Sequence, residues 1–367
     1  MKIVVTGTRG IPDIQGGIET HCQELYPRLA NLGFDITLIR RSCFVKGKKT
    51  ESEYKGVKLV NLFTLRIKTI ETIIHTFLSV IWAKIHQADI LHIHAIGPAL
   101  FIPLAKLLGL KVVFTHHGPD YDRAKWGPFA KSVLKMGEKF GSKNADQVIV
   151  ISEVIRKILE EKHSRYDTNL IFNGFSLPVF DNGTDYIESL GLTSRRYVFT
   201  LGRFVEEKGF DLLIKAFKKT NDANYQLVIA GDADHETSYS SKLKKMALSE
   251  NVILTGFVRG KKLSQLFNHA ALFVLPSYHE GLPISLLEAM SYNLPVLVSD
   301  IPANKQVNLP FERYFITGDE ISLKTKLKNM LSTDYEDVEY DLSVYNWDVI
   351  AQQTADVYNK ILKTTKS

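Results

Sequence analysis

The chain has 367 residues, 45% of them hydrophobic and 23% charged, an ordinary globular make-up with length enough for two domains of common size. Its two cysteines, Cys22 and Cys43, are too few for a disulfide framework and are not spaced as a metal knuckle, which fits a reducing compartment. The net charge of +6 is uneven, since residues 1–175 carry 25 Lys and Arg against 16 Asp and Glu while 176–367 carry 21 against 24; with no aromatic-basic motif of a nucleic-acid module, the excess fits an anionic membrane surface first and plain solvated charge next.

From Met1, a short apolar strand at Val4-Val5 runs straight into the glycine turn Thr6-Gly7-Thr8-Arg9-Gly10 without the longer apolar stretch of a secretion signal, so a cytoplasmic protein is expected. Gly16-Gly17-Ile18-Glu19 then precedes a helix carrying Leu25 and Leu29, where glycine permits backbone approach to a phosphate at the helix start. Strands are expected at Ile36–Ile39, Ile90–Ile93, Val112–Phe114 and Val148–Ile151, separated by stretches long enough for helices. The greasy stretch from Ile70 to Ile85 contains Glu71, His75 and Lys84 and reads as a buried or interfacial helix that falls short of a membrane span. Two strand ends are polar, His92-x-His94 and Thr115-His116-His117-Gly118-Pro119-Asp120, at the carboxyl edge where parallel folds bind ligands. His92 and His94 read as one core and one edge histidine and not as a zinc pair, because no third ligand has suitable spacing.

Asn173 to Pro178, followed by Asp181-Asn182-Gly183 and a short helical piece, suits an interdomain crossing near 174–195. A second series follows, with strands at Tyr197–Leu201, Gln226–Ala230, Val252–Leu254, Leu272–Leu275 and Pro295–Val298, and a helix over Phe210–Thr220. The economical solution is α/β with two doubly wound domains, about 1–176 and 177–346, and the last stretch, Trp347 to Leu362, reads as one amphipathic helix.

In the second series, Gly202-Arg203-Phe204-Val205-Glu206-Glu207-Lys208-Gly209 places an Arg and a Lys on the turn after a strand, a pair able to meet an anion, although two basic loop residues alone read equally as solvated surface. The most informative stretch runs from Pro276 to Met290. A strand ends at Leu275, Gly281 and Pro283 mark a tight turn, and Ser285 to Met290 reads as a helix whose start, around Leu282, Pro283, Ile284 and Ser285, forms an anion site. Glu280 stands before the turn and Glu288 about two helical turns beyond, so two acidic groups flank one pocket.

The Glu-x7-Glu motif within PSYHEGLPISLLEAM resembles the signature of family 4 of the retaining glycosyltransferases, which have the GT-B fold of two Rossmann-like domains facing across a cleft. The resemblance spans nearly the whole chain and implies that the terminal helix, 347–367, belongs with the first domain. It implies that Glu280 faces the donor sugar, that Glu288 binds the ribose hydroxyls, and that Arg203 and Lys208, with Gly202, hold the pyrophosphate. It further implies that Gly256, Phe257 and Val258 line the base pocket through their backbone, that Gly16 and Gly17 face the diphosphate, and that His117, with Asp120 beside it, contacts the donor sugar. The implied activity is metal-independent, retaining transfer of a sugar from a nucleotide diphosphate, UDP favoured, to a saccharide or lipid-linked acceptor, with no cofactor. GTRGIPDIQGGIET and DYDRAKWG look like a subgroup that includes rhamnosyl and other cell-surface polysaccharide transferases, although the usual Asp-Gly step of that subgroup is His117-Gly118 here.

Other readings stay open at this point. Thr6 to Gly10 with Tyr121-x3-Lys125 copies a short-chain dehydrogenase, but Asp13 stands where the third glycine belongs and Pro12 interrupts the turn. Asp232-x-Asp234 copies the metal-binding pair of another transferase fold, a sugar-nucleotide-binding regulator needs no catalysis, and epimerases and phosphorylases share the GT-B fold. Two basic clusters in the first half carry the membrane reading: Arg40, Arg41, Lys46, Lys48, Lys49, Lys55 and Lys58 beside Phe44 and Val45, and Arg123, Lys125, Lys131, Lys135, Lys139 and Lys143 around Trp126, Phe129 and Phe140.

Overall fold

The computed structural model describes residues 1–45, 51–64, 70–122, 126–233, 235–333 and 338–363. They form two compact units, Met1–Gly174 with Val344–Ser367, and Phe175–Ser343. Each is a parallel sheet clad with helices.

In the first unit the strands are β1 (Lys2–Thr6), β2 (Asp35–Arg41), β3 (Glu53–Tyr54), β4 (Val57–Leu62), β5 (Ile90–His94), β6 (Lys111–His116), β7 (Gln147–Val150) and β8 (Thr168–Leu170). Their order across the sheet is β3-β4-β2-β1-β5-β6-β7-β8, parallel except for the β3–β4 hairpin. Ile3, Val4 and Val5, and likewise Val112, Val113 and Phe114, are wholly buried in succession, as central strands covered on both faces must be. The helix Trp347–Lys363 returns to this unit, where Arg28 on the helix Gly17–Asn31 meets Asp348 at 2.8 Å and Tyr358 is buried against His92.

In the second unit the strands are β9 (Tyr197–Leu201), β10 (Gln226–Ala230), β11 (Ile253–Gly256), β12 (Leu272–Leu275), β13 (Val296–Ser299) and β14 (Tyr314–Phe315), in the order β11-β10-β9-β12-β13-β14. Alternate residues feed two cores, one on each face. Phe199, Val228, Phe273 and Val298 enter one, and Val198, Leu227, Val274 and Leu297 the other.

Both sheets reverse direction of growth beside their first strand. In the second unit the chain builds outward from β9 to β11, then crosses back to lay β12 on the other side of β9; in the first unit the reversal falls between β1 and β5. Ligand crevices form where neighbouring connections diverge, at the carboxyl ends of those strands. The loops after β9 and β12 are those that carry Arg203, Lys208 and Glu280.

The described residues correct several expectations. Arg40 and Arg41 are buried: Arg40 bonds Asn61 Oδ1 and the Glu51 carbonyl, and Arg41 pairs with Glu71 at 3.2 Å, so neither faces a membrane. Val45 is buried as well. Lys46, Lys48, Lys49, Arg123, Lys125 and Asp234 lie outside the described residues. The helix expected over Ile70–Ile85 forms with those bounds, and among the described residues no helix is long and apolar enough to cross a membrane. Ile151, Val252 and Pro295 fall just outside the strands expected to include them, and β4 with the short β3, β8 and β14 lies beyond the strands the sequence pattern predicts.

Candidate functional site

The loop after β9 turns through the short 3-10 segment Glu206–Lys208 and ends at Gly209, whose φ of 64° is left-handed. A Cβ at Gly209 would stand 2.3 Å from the Pro276 carbonyl oxygen, and the Tyr278 amide donates to the Glu207 carbonyl at 2.8 Å. These two contacts lock the β9 loop onto the β12 loop. The result is direct: Lys208 Nζ lies 2.6 Å from Glu280 Oε1, with only 16% and 12% of the two side chains exposed. Gly202 provides the floor, since a Cβ there would lie 3.3 Å from Lys208 Cε. Arg203 follows on the same loop and is partly exposed.

Behind Glu280 runs a buried polar chain. Ser277 Oγ donates to Glu280 Oε1 at 2.6 Å, Ser299 Oγ donates to the Ser277 carbonyl at 2.5 Å, and Asn304 Nδ2 donates to the Ser299 carbonyl at 2.9 Å. Ser277, Ser299 and Asn304 are wholly buried, so the carboxylate is fixed by groups that have no other outlet for their hydrogen bonds. Ser277 stood within the quoted motif with no role of its own; Ser299 and Asn304 gave no signal, because their link to the site is a chain of contacts and not a spacing.

The helix Ile284–Ser291 begins after Pro283 without a side-chain cap, leaving its first turn as an anion-binding end. Leu282, Pro283 and Ile284 have buried side chains, so any contact from them to a ligand is through backbone, and Pro283 has no N–H to donate. Ser285 and Glu288, three residues apart, share the partly exposed face of that helix. Gly256 closes β11 with a φ of 69° and accepts the Gly231 amide at 2.8 Å; Phe257 after it is exposed and Val258 is buried.

In the first unit, the helix Gly17–Asn31 starts beside the β1 loop. Glu19 Oε1 accepts from the Arg9 amide at 3.0 Å and from Thr8 Oγ1, and its Oε2 pairs with the Arg9 guanidinium. A Cβ at Gly16 would strike Glu19 Oε2, whereas one at Gly17 would meet open space. Gly16 is therefore required by its own neighbours, and Gly17 is the glycine with room in front of it.

His117 does not stand alone. His94 Nδ1 lies 2.8 Å from His117 Nε2, and His21, from the helix Gly17–Asn31, sets its ring edge-on to both. Burial holds His21 down at about 4 and, with the mutual repulsion of the rings, holds His94 and His117 well below the ordinary histidine range, so all are neutral at pH 7. His92 is stacked on His94, and its two ring nitrogens are taken by Tyr26, Tyr358 and Thr115. Both His92 and His94 are thus wholly buried, and the third and fourth histidines that sequence spacing did not bring to His94 come from distant segments. Asp120 opens a 3-10 turn just beyond His117.

Two rival readings lose their residues here. Tyr121 is buried and donates to Glu138, and burial with that carboxylate raises its phenol further, the reverse of what a dehydrogenase base requires. Asp232 is paired with Lys244 at 2.9 Å.

Comparison with known proteins accords with this layout. The family described as Glycosyltransferase Family 4 matches residues 15–177, and that described as Glycosyl transferases group 1 matches residues 183–340. An uncharacterised glycosyltransferase of Methanocaldococcus jannaschii is 25% identical over 98% of both chains. The UDP-Gal:alpha-D-GlcNAc-diphosphoundecaprenol alpha-1,3-galactosyltransferase of Escherichia coli is 28% identical over 87% of this chain and 85% of its own. Among solved structures, the sucrose-phosphate synthase of Thermosynechococcus elongatus superposes with a TM-score of 0.80 at 20% identity over 99% of each chain. Anabaena HepE in complex with UDP-glucose gives 0.73 at 17% identity over 99% of this chain and 98% of its own. With two family matches that follow one another along most of the sequence and a fold shared end to end, the chain belongs to family 4 of the glycosyltransferases and has the GT-B fold.

Proposed function

We propose that this glycosyltransferase takes a sugar from a UDP-sugar and passes it, with retention of anomeric configuration and without a metal ion, to a saccharide or lipid-linked saccharide acceptor during cell-surface glycan synthesis. The observation that carries the reading is the Lys208–Glu280 pair at the β9/β12 divergence, with Gly202 beneath it and Arg203 on the same loop. Lys208 and Arg203 meet the pyrophosphate and stabilise the charge that builds as the glycosidic bond breaks. Glu280, held by Ser277, orients the sugar; Glu288 takes the ribose hydroxyls; the backbone of Gly256 to Val258 receives the base. Gly17, His117 and Asp120 are the first unit's contribution to the diphosphate and the sugar. The acceptor hydroxyl attacks on the face the nucleotide leaves. The preference for uridine is supported by the UDP-glucose complex of the Anabaena protein, and the lipid-linked acceptor by the name of the Escherichia coli relative.

A membrane-facing first unit in the cytoplasm is part of this proposal. Its support is the helix Pro128–Asn144, where Lys135, Lys139 and Lys143 follow one another at four-residue steps and Phe129 is 84% exposed.

A screen of nucleotide sugars by thermal unfolding tests the donor, since a ligand that binds only the folded chain raises its Tm. UDP-sugars should raise it and ADP- and GDP-sugars should not; the opposite order would refute the uridine assignment. Transfer should persist in EDTA, because cations of the chain stand where a metal would, and complete loss restored by manganese would contradict that. NMR of the product gives the anomeric configuration.

A further inference from the structure

The helix Pro128–Asn144 turns a carboxylate inward. Gly137 and Gly141, four residues apart and so on one face, let the helix settle closely on the first unit: a Cβ at Gly137 would strike the Ile96 carbonyl oxygen, and one at Gly141 would stand 2.6 Å from the Phe114 ring. Glu138, next to Gly137, is thereby carried to the end of β6, where it is buried. We propose that Glu138 is a positioning residue for His117, fixing both ends of the segment on which His117 and Asp120 stand. The proposal rests on the reading of His117 as a contact of the donor sugar.

One end of the segment is His116. Its Nδ1 accepts the Gly118 amide proton at 3.1 Å, so that nitrogen offers its lone pair and the ring proton stands on Nε2, 3.0 Å from Glu138 Oε1. The other end is Tyr121, whose hydroxyl donates to the same Oε1 at 3.2 Å. Lys162 Nζ donates to the phenol oxygen at 3.2 Å, which leaves the phenol proton for Glu138. Between the two anchors the backbone closes a turn: Gly118 has a φ of 141°, which disfavours any side chain, and its carbonyl accepts the Asp120 amide at 2.9 Å.

His116 and Tyr121 are buried with Glu138, while His117 and Asp120 between them are partly exposed. One carboxylate oxygen thus holds both flanks of a short stretch whose own polar side chains are left to face outward. His163 Nε2, 3.4 Å from Oε2, closes the other side of the carboxylate. Burial pushes the Glu138 carboxyl up, but the hydrogen bonds from His116 and Tyr121 outweigh it and hold it below the usual carboxylate range, so both flanks are bound to a charged acceptor at pH 7. His117 Nε2 meets His94 at 2.8 Å, and a shift of the backbone between His116 and Gly118 would draw the imidazole out of that contact.

The test is sugar transfer from a UDP-sugar by the full chain carrying Glu138→Ala, Glu138→Gln, His117→Ala, or Glu138→Ala with His117→Ala, each with its Tm as the check of folding. Glu138→Ala should lower kcat by about tenfold or more, the scale of hydrogen bonds lost to a charged group, and Glu138→Gln, which keeps an acceptor oxygen for His116 and Tyr121, should recover most of it. In the His117→Ala background the cost of Glu138→Ala should shrink to about twofold or less, because a positioning residue then has nothing left to place. Hydrogen exchange of the Gly118 amide, followed by NMR, should quicken in Glu138→Ala. Where Glu138→Ala does not fold, Tyr121→Phe removes one anchor alone and carries the same comparison. An unaltered kcat, a loss undiminished by His117→Ala, or an unchanged Gly118 exchange rate overturns the proposal and leaves the reading of His117 standing. A folded His117→Ala that transfers sugar at the unaltered rate removes that reading, and the proposal with it.

Discussion

At Lys208 the structure changes what a substitution is expected to do. Read as separate residues, Lys208 serves the phosphates and Glu280 the sugar, so Lys208→Ala would weaken binding of the nucleotide diphosphate and Glu280→Gln would chiefly lower turnover. The 2.6 Å contact makes them one unit. Removing the Glu280 charge frees the Lys208 ammonium, and removing Lys208 takes the ion pair from a nearly buried carboxylate that keeps its Ser277 hydrogen bond. A double-mutant cycle on kcat/KM should therefore be non-additive by about 1 kcal/mol or more, and additivity within about 0.3–0.5 kcal/mol would show that the pair does not act together. Ser277 is legible only from the structure as the residue that holds Glu280. Ser277→Ala removes a hydrogen bond to a charged group, of the order of 1.5–3 kcal/mol, and kcat should fall about tenfold or more with the fold retained. An unchanged kcat would assign the serine to packing alone. Glu280 and Lys208 could each be named from the sequence because each sits in a local motif; their contact could not, since they stand 72 positions apart.

The elements that carry the site are a pair of strand-to-helix turns, and Gly209 is where they press together. Its left-handed backbone alone disfavours a side chain by about 1–2 kcal/mol, and the Pro276 carbonyl leaves no room for one. Gly209→Ala should lower the Tm by about 2–4 °C per kcal/mol lost and weaken UDP binding, because Lys208 moves with the loop. A Tm within about 1 °C of the unaltered chain would contradict the close packing of the two loops. Long buried strands were readable from their unbroken β-branched runs, and their ends came out within a residue or two. The strands that escaped, β3, β4, β8 and β14, lie toward the sheet margins, where they are short or half exposed and where pairing is decided by the neighbour more than by the strand's own composition. The basic first half was legible as a count and misleading as a surface, since burial claims Arg40 and Arg41. Among the described residues the helix Pro128–Asn144 keeps Lys135, Lys139 and Lys143 exposed in a row, and Lys55 and Lys58 of the other cluster are exposed as well. Replacing Lys135, Lys139 and Lys143 with Gln should abolish sedimentation with anionic vesicles at low salt without lowering Tm, and vesicle binding that survives the change, or that ignores salt, would place the contact elsewhere.

For the whole molecule, two doubly wound units followed from the alternation of strand and helix alone; the composition put the crossing between them near 174–195, and the two units divide after Gly174. The return of the chain's last helix to the first unit was carried by the resemblance, and the packing of Tyr358 on His92 gives it a physical cause. The histidine cluster lay beyond reach because it is assembled by topology: His21, His94 and His117 meet only after β1, β5 and β6 are laid side by side. The proposed donor site is the reverse case, since its motifs sit on the two loops that the strand order makes neighbours. The account as a whole stands on that site being where the sugar is transferred. Its most direct test is the rate of sugar transfer from the preferred UDP-sugar by Glu280→Gln, with the Tm of the variant as proof of folding. The rate should fall by about 100-fold or more, the scale of losing a group that acts in the transition state; a folded variant within about twofold of the unaltered chain would contradict the assignment of this site.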